Sequence, residues 1–171
     1  MTRYLAFLRG VSPMYVTMPD LKRSFEAAGF GAVKTILGSG NVAFDASVGD
    51  AATLMRRAEA AMQAELGRSF PVHLRSAAAV QHLVDSDPFA GLDAPAQGKR
   101  VVTFLRAEAP ASLRLPIVED GVHILRTVGC EVFTVYEPHP KGPVFMSLLE
   151  RVLGSDITSR TFDTLKKCAR A

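Results

Sequence analysis

The stretch Gly-Ser-Gly-Asn-Val-Ala-Phe at positions 38–44 places a glycine-rich turn directly in front of a strand. Glycine lacks a Cβ atom and reaches backbone conformations that other residues disfavour, so this turn can be tight. Apolar runs at Val33–Leu37 and Val42–Asp45 flank the turn. We interpret them as the second and third strands of the fold.

Helix and strand patterns on both sides of the turn extend this unit over residues 1–76. Thr17 has the spacing of a capping hydroxyl, and Asp50 can cap a second helix. The predicted elements are a strand at Tyr4–Arg9, a helix at Met18–Ala28, the two strands around the turn, a helix from Asp50 to Gly67 and a strand at residues 70–75. The order β-α-β-β-α-β is that of a ferredoxin-like unit, with helices on one face of an antiparallel sheet.

Residues 77–171 predict a second α+β half that ends in a helix. The loop from Asp85 to Gly98, rich in Pro, Gly and Asp, is the best boundary. The predicted elements are a helix at Ala77–Val84, a strand at Lys99–Arg106, a hairpin at Asp120–Gly121, a strand at Glu131–Tyr136 and helices at Val144–Leu153 and Phe162–Ala169. We expect this half to pack on the open face of the first sheet. The fold class is therefore α+β, with two small packed halves at 1–76 and 77–171.

Composition excludes several classes of protein. The 171 residues are 48% apolar, yet no apolar run could cross a bilayer and the N-terminus reads as a strand rather than a signal peptide. Cys130 and Cys168 are far apart, and the four histidines have no metal-ligand spacing. We expect a cytoplasmic protein with no membrane partner, no metal and no cofactor; its oligomeric state stays open.

The charge is unevenly spread along the chain. The net charge is +3, and residues 1–76 and 141–171 carry more Lys and Arg than Asp and Glu, whereas residues 77–140 carry an acidic excess. Basic ends are compatible with a partner that carries phosphates, although many proteins of similar charge bind nothing anionic.

Two short segments in the first half are candidate anion sites. Arg9 ends the first strand with a fixed positive charge, and Gly10 lets a backbone approach closely. The second candidate is the glycine-rich turn, which contains Gly40 and in which Ser39 and Asn41 supply a hydroxyl and an amide. The structural alternative is a tight turn that needs Gly and Asn for their backbone angles.

A third candidate lies just before the last helix. Thr158, Arg160 and Thr161 gather hydroxyls and a guanidinium there, and a helix start favours an anion. Capping of the helix by its own threonines is the structural alternative.

The turn also fits part of an RNA-binding signature. Gly-x-Gly-x-Val-x-Phe on the third strand matches the frame of an RRM, but Ser39 and Asn41 occupy the positions of the base-stacking aromatic rings. The stacking platform is absent, so an RRM mechanism is disfavoured. Val42 and Phe44 are better interpreted as core residues that face the helices.

The chain resembles the bacterial family catalogued as domain of unknown function 1697. The matching residues are Leu8-Arg9-Gly10-Val11, Met18, Leu21, Gly29-Phe30, Val33, Thr35, Ser39-Gly40-Asn41-Val42, Phe44, Gly154, Thr158, Arg160, Phe162 and Thr164. The resemblance implies an α+β fold of two small packed halves and brings no established activity. Two segments depart from the family: Ser12-Pro13-Met14-Tyr15 replaces an Asn-Val-Gly-Gly-like stretch, and Thr161 and Asp163 replace asparagines.

Three functional hypotheses follow. The first is a binding module for a phosphate-bearing ligand, a nucleotide or a nucleic acid, that uses Arg9, Ser39, Asn41 and Arg160. The second is an enzyme that acts on a small anionic substrate through an acid or base which the sequence does not identify. The third is that these motifs are purely structural and hold turns and strands in place.

Overall fold

The computed structural model describes residues 1–47 and 49–171, which fold as an α+β protein with two antiparallel sheets. The chain divides into two compact units. Unit 1 contains Met1–Asp85 together with Leu165–Ala171, and unit 2 contains Ser86–Thr164.

Unit 1 is the ferredoxin-like unit. Its elements are β1 (Thr2–Leu8), α1 (Met18–Ala27), β2 (Gly31–Ile36), β3 (Asn41–Ala46), α2 (Ala51–Leu66), β4 (Val72–Ser76) and α3 (Ala77–Asp85). The four strands form an antiparallel sheet in the order β2-β3-β1-β4. The β-α-β-β-α-β prediction is confirmed.

Local interactions explain where the two long helices of unit 1 begin and where α2 ends. The Thr17 side chain accepts a hydrogen bond from the backbone N of Asp20, and Asp50 accepts one from Thr53. Gly67 ends α2 in the left-handed conformation, with φ of 71°. Both caps and the glycine stop match the sequence prediction.

The core of unit 1 lies between the sheet and helices α1 and α2. Phe44 on β3 packs against Phe30 and Phe25, with ring centroids 4.3 and 5.6 Å apart. Val42 belongs to the same buried cluster, so the prediction that Val42 and Phe44 face the helices is confirmed.

The opposite face of this sheet is also buried. Phe7 pairs with both Asn41 and His73, and directly paired residues of antiparallel strands point to the same face. All three side chains are almost fully buried, and α3 packs against β1 and β4. Apolar residues alternate with Pro71, His73 and Arg75 over residues 70–75, a pattern that predicts a half-buried strand with His73 on its polar side. That prediction for His73 is wrong, because its side chain is buried. Local alternation does not report whether the second face is covered.

Unit 2 contains a five-stranded antiparallel sheet in the order β6-β7-β8-β5-β9. Its elements are β5 (Lys99–Leu105), β6 (Ile117–Glu119), β7 (Val122–Val128), β8 (Glu131–Tyr136), α4 (Val144–Leu153) and β9 (Ile157–Thr161). The last helix, α5 (Phe162–Cys168), begins directly after β9. Asp120 and Gly121 both have positive φ and join β6 to β7, which confirms the hairpin.

Strand β9 differs from the sequence interpretation, which treated residues 158–161 as the approach to a helix. These residues pair with β5, so that Thr158 lies opposite Phe104 and Arg160 opposite Val102. The pairing partner lies more than fifty residues away in the chain. The β-branched Ile157, Thr158 and Thr161 are compatible with a strand, but they do not identify that partner.

Candidate functional site

Three loops of unit 1 lie at one end of its sheet. Because β1 and β2 run in the same direction and β3 and β4 run against them, the ends of β1 and β2 meet the starts of β3 and β4. The loops at residues 9–17, 37–40 and 67–71 therefore share this end. We call these three loops the loop end.

The loop end brings together five residues that the sequence singles out. The backbone N of Leu8 donates to the Gly40 carbonyl at 2.9 Å, and the backbone N of Arg9 donates to the Pro71 carbonyl at 3.0 Å. Gly40 has φ of 82°, and a Cβ atom there would lie 2.8 Å from Cγ2 of Val11. The loop that carries Arg9 and Gly10 is thus packed against the turn that carries Ser39, Gly40 and Asn41.

Within this group, the asparagine faces inward. Asn41 is fully buried, and its Nδ2 donates to the Ile36 carbonyl at 2.9 Å and to Ser39 Oγ at 3.1 Å. These bonds tie the two ends of the turn together. Gly10 and Ser39 are exposed and Arg9 is partly exposed, so these residues form the part of the group that a ligand can reach.

The remaining candidates lie in unit 2, on β9 and at the start of α5. Arg160 is only 8% exposed, and its Nη1 donates to Thr158 Oγ1 and to the Ser159 carbonyl, both at 2.8 Å. Thr161 Oγ1 accepts a hydrogen bond from the backbone N of Thr164 at 3.2 Å, as a capping side chain does. Asp163 in the first turn of α5 adds a negative charge there.

Sequence reasoning missed two residues at the loop end, Tyr15 and Arg68. The Tyr15 side chain lies in the loop after β1, and Cζ of Arg68 lies 4.5 Å from the centroid of its ring. An exposed aromatic next to a Pro-containing turn is a signal that could have singled out Tyr15. Arg68 lies some fifty residues further along the chain, and only the fold brings it there.

Asp50 and Glu119, whose pKa values are lowered, lie outside the loop end. A hydrogen bond from Thr53 lowers the pKa of Asp50, and the neighbouring Arg151 lowers the pKa of Glu119. The three loops of the loop end contain no His, Cys, Asp or Glu.

In residues 1–47 and 49–171, no cluster of three or more His, Cys, Asp or Glu side chains is placed to hold a metal ion. Over the same residues, no helix has the length and apolar character needed to span a bilayer.

Comparisons with known proteins support the fold and identify the family. Over 99% of this chain and 97% of the other, the structure resembles that of the conserved bacterial protein SP0830 from Streptococcus pneumoniae, with a TM-score of 0.69 and 19% sequence identity. No curated protein matches the chain. The model of a family described as "protein of unknown function (DUF1697)" matches residues 1–133. The chain therefore belongs to the DUF1697 family.

Proposed function

We propose that this protein binds a phosphate-bearing ligand, a nucleotide or a nucleic acid, at the loop end of unit 1. The observation that carries the proposal is the packing of the Arg9–Gly10 segment against the 38–41 turn through the bond from Leu8 N to the Gly40 carbonyl. It sets the segment that carries the Arg9 side chain and Gly10 next to the turn that carries the Ser39 hydroxyl and Gly40. Guanidinium, hydroxyl and glycine backbone groups all bind phosphate oxygens.

The charge of the loop end supports the same ligand class. Its three loops contain two arginines, Arg9 and Arg68, and no carboxylate. An anion that approaches them meets positive charge without competition from an acidic side chain on the same loops.

The test is a binding panel of inorganic triphosphate, nucleotides, sugar phosphates and short oligonucleotides, screened by thermal shift and measured by calorimetry. We expect Arg9→Gln to weaken binding of the responding compounds roughly ten-fold or more, because it removes a charge-assisted hydrogen bond. Arg56→Gln is the matched control, since Arg56 lies in the first half of α2, away from the loop end. The proposal fails if no compound binds, or if both variants bind alike.

A structural role is favoured for the group on β9. The bonds from Arg160 to Thr158 and Ser159 stay within one strand, and the guanidinium is nearly buried. We expect Arg160→Met to lower the free energy of unfolding by roughly 1–3 kcal/mol. Ligand affinity at the loop end should stay unchanged. If the variant lost ligand affinity but kept its stability, Arg160 would be a ligand-binding residue rather than a structural one.

A further inference from the structure

We infer that the ligand of the loop end is single-stranded nucleic acid and that one of its bases stacks on Tyr15. This inference rests on the proposed function and specifies its ligand. Three observations support it: the fixed backbone and exposed ring of Tyr15, the charges around that ring and the openness of the surface.

Tyr15 is held in place but remains accessible. The backbone N atoms of Tyr15 and Val16 both donate to the Ser12 carbonyl, at 2.9 and 3.2 Å, and Val16 is buried below them. The Tyr15 side chain is nevertheless 58% exposed. A ring on a fixed backbone loses little freedom when a base stacks on it, and such stacking strengthens binding by about 5- to 150-fold per base.

Arg68 adds positive charge directly at this ring. Its Cζ atom lies over the ring, 4.5 Å from the centroid, so the guanidinium covers one face of Tyr15 and a base would stack on the other face. An aromatic ring next to an arginine is the combination that single-strand binding proteins use, the ring for a base and the cation for the adjacent phosphate.

Two acidic side chains lie beside Tyr15. A hollow of about 300 Å³ beside the ring is lined in part by Asp20 and Glu65. Asp20 forms an ion pair with Arg23 and accepts a hydrogen bond from Thr17. Glu65, in the last turn of α2, is the carboxylate expected to oppose a phosphate chain.

The openness of the surface favours a polymer over a free nucleotide. Met14, Tyr15 and Leu37 are all exposed at the tips of their loops. Small-molecule sites enclose about 70–90% of their ligand, whereas side chains this exposed leave much of a bound molecule in contact with solvent. A strand gains affinity from several phosphates and bases along an open surface. Its bases must be unpaired, because the bases of a duplex are already stacked on one another.

The geometry also differs from that of an RRM. An RRM stacks bases on the face of its sheet, and here that face is buried at Phe7, Asn41 and Ala43. The accessible ring belongs to a loop instead. The absence of aromatics at positions 39 and 41 therefore does not oppose stacking on Tyr15.

The test uses fluorescence anisotropy with the full chain and three labelled probes of about a dozen nucleotides. The probes are a single strand, the same strand with abasic sites and a duplex. We expect the single strand to bind most tightly, with an affinity that falls as salt is added. Tyr15→Ala should weaken binding of the base-carrying strand by about five-fold or more and leave the abasic strand unchanged. Tyr15→Phe should retain binding.

One variant separates stacking from disturbance of the loop, and a matched pair tests the carboxylate of Glu65. Met14→Ala removes an exposed side chain from the same loop without removing a ring, and binding should persist. Glu65→Gln should raise affinity for both single strands, whereas Glu26→Gln on α1 should not. Unfolding midpoints of all variants verify that the fold is intact.

Each contrary outcome has a distinct meaning. If abasic and base-carrying strands bind equally and Tyr15→Ala has no effect, the stacking inference is wrong while phosphate binding stands. If free nucleotides bind in an Arg9-dependent manner and strands do not, the single-strand inference is wrong and the proposed function again stands. If no phosphate-bearing compound binds, the proposed function itself is wrong.

Discussion

Asn41 and Gly40 stabilise the same turn by different means. Asn41 contributes hydrogen bonds from a buried amide, to the Ile36 carbonyl and to Ser39. Gly40 contributes the space that its missing Cβ leaves for Val11. The two effects can be separated by substitution.

Replacing Asn41 with alanine should lower the free energy of unfolding by roughly 1–3 kcal/mol, since the Ile36 carbonyl loses its side-chain donor. Urea denaturation measures the change. Ser39→Ala removes only an exposed hydroxyl, and its effect should stay below about 1 kcal/mol. Equal losses in the two variants would show that the amide does not hold the turn.

Gly40→Ala should also destabilise the fold, by roughly 1–3 kcal/mol, because its Cβ would lie within 3 Å of two Val11 atoms and its φ of 82° disfavours a side chain. Gly38→Ala is the matched control in the same turn. A Cβ at Gly38 meets no heavy atom within 4 Å. Thermal unfolding of both variants would contradict this account if Gly38→Ala proved the more damaging change.

At the scale of elements, the N-terminus of α2 depends on one titratable cap. Asp50 accepts hydrogen bonds from the backbone N and Oγ1 of Thr53, at 3.2 and 3.1 Å. The side-chain bond is the main cause of the lowered pKa of Asp50. Because this pKa is lower in the folded state, the cap stabilises the fold fully above the unfolded-state pKa. That contribution is lost as the pH falls through the folded-state value.

The expected result is a pH-dependent difference between the natural chain and Asp50→Asn. Asparagine can still accept the bond from Thr53 N but does not titrate. Between about pH 6 and about pH 2, the natural chain should lose more stability than the variant. Melting temperatures across this range provide the measurement, and parallel curves would rule out the cap as a titrating contributor.

Strand β9 shows that short sequence patterns do not predict which distant strands pair. Its five residues form a strand because β5 provides a partner for their backbone groups. The caps of α1 and α2, by contrast, involve residues three positions apart and are visible in any window of the sequence. Short-range bonds were therefore predicted correctly, and long-range pairing was not.

At the scale of the whole molecule, the C-terminal segment returns to the unit that contains β1. Leu165 and Cys168 are almost fully buried, and residues 165–171 belong to unit 1. The compact unit is thus discontinuous in sequence, although its ferredoxin-like elements are contiguous.

Truncating the buried side chain tests this arrangement. Leu165→Ala should lower the free energy of unfolding by roughly 2–5 kcal/mol, whereas Lys167→Ala on the exposed side of α5 should change it by less than about 0.5 kcal/mol. Denaturant unfolding monitored by tertiary probes distinguishes the two variants. A similar, small effect of both would mean that the last segment contributes little to the fold.

The candidate site, like the fold, was predictable only where short local sequence patterns identify its residues. Arg9, Gly10 and the 38–41 turn were found because each is a short pattern at a strand end, and the antiparallel pairing of β1 with β3 brings them together. Burial of Asn41 was not predictable, because the local sequence is the same whether the amide of a turn asparagine faces solvent or packs inside the protein. Arg68 and Tyr15 meet only through the fold.

The sequence alone therefore determined the periodic elements of unit 1, its helix ends, its α+β class and the resemblance to a family. These depend on interactions between residues a few positions apart, whose patterns are written in the chain. Tertiary structure alone decided which polar groups are buried, that residues 157–161 form a strand and that Tyr15 lies beside Arg68. These depend on which distant segments meet, and no local pattern records the burial and pairing that such meetings create.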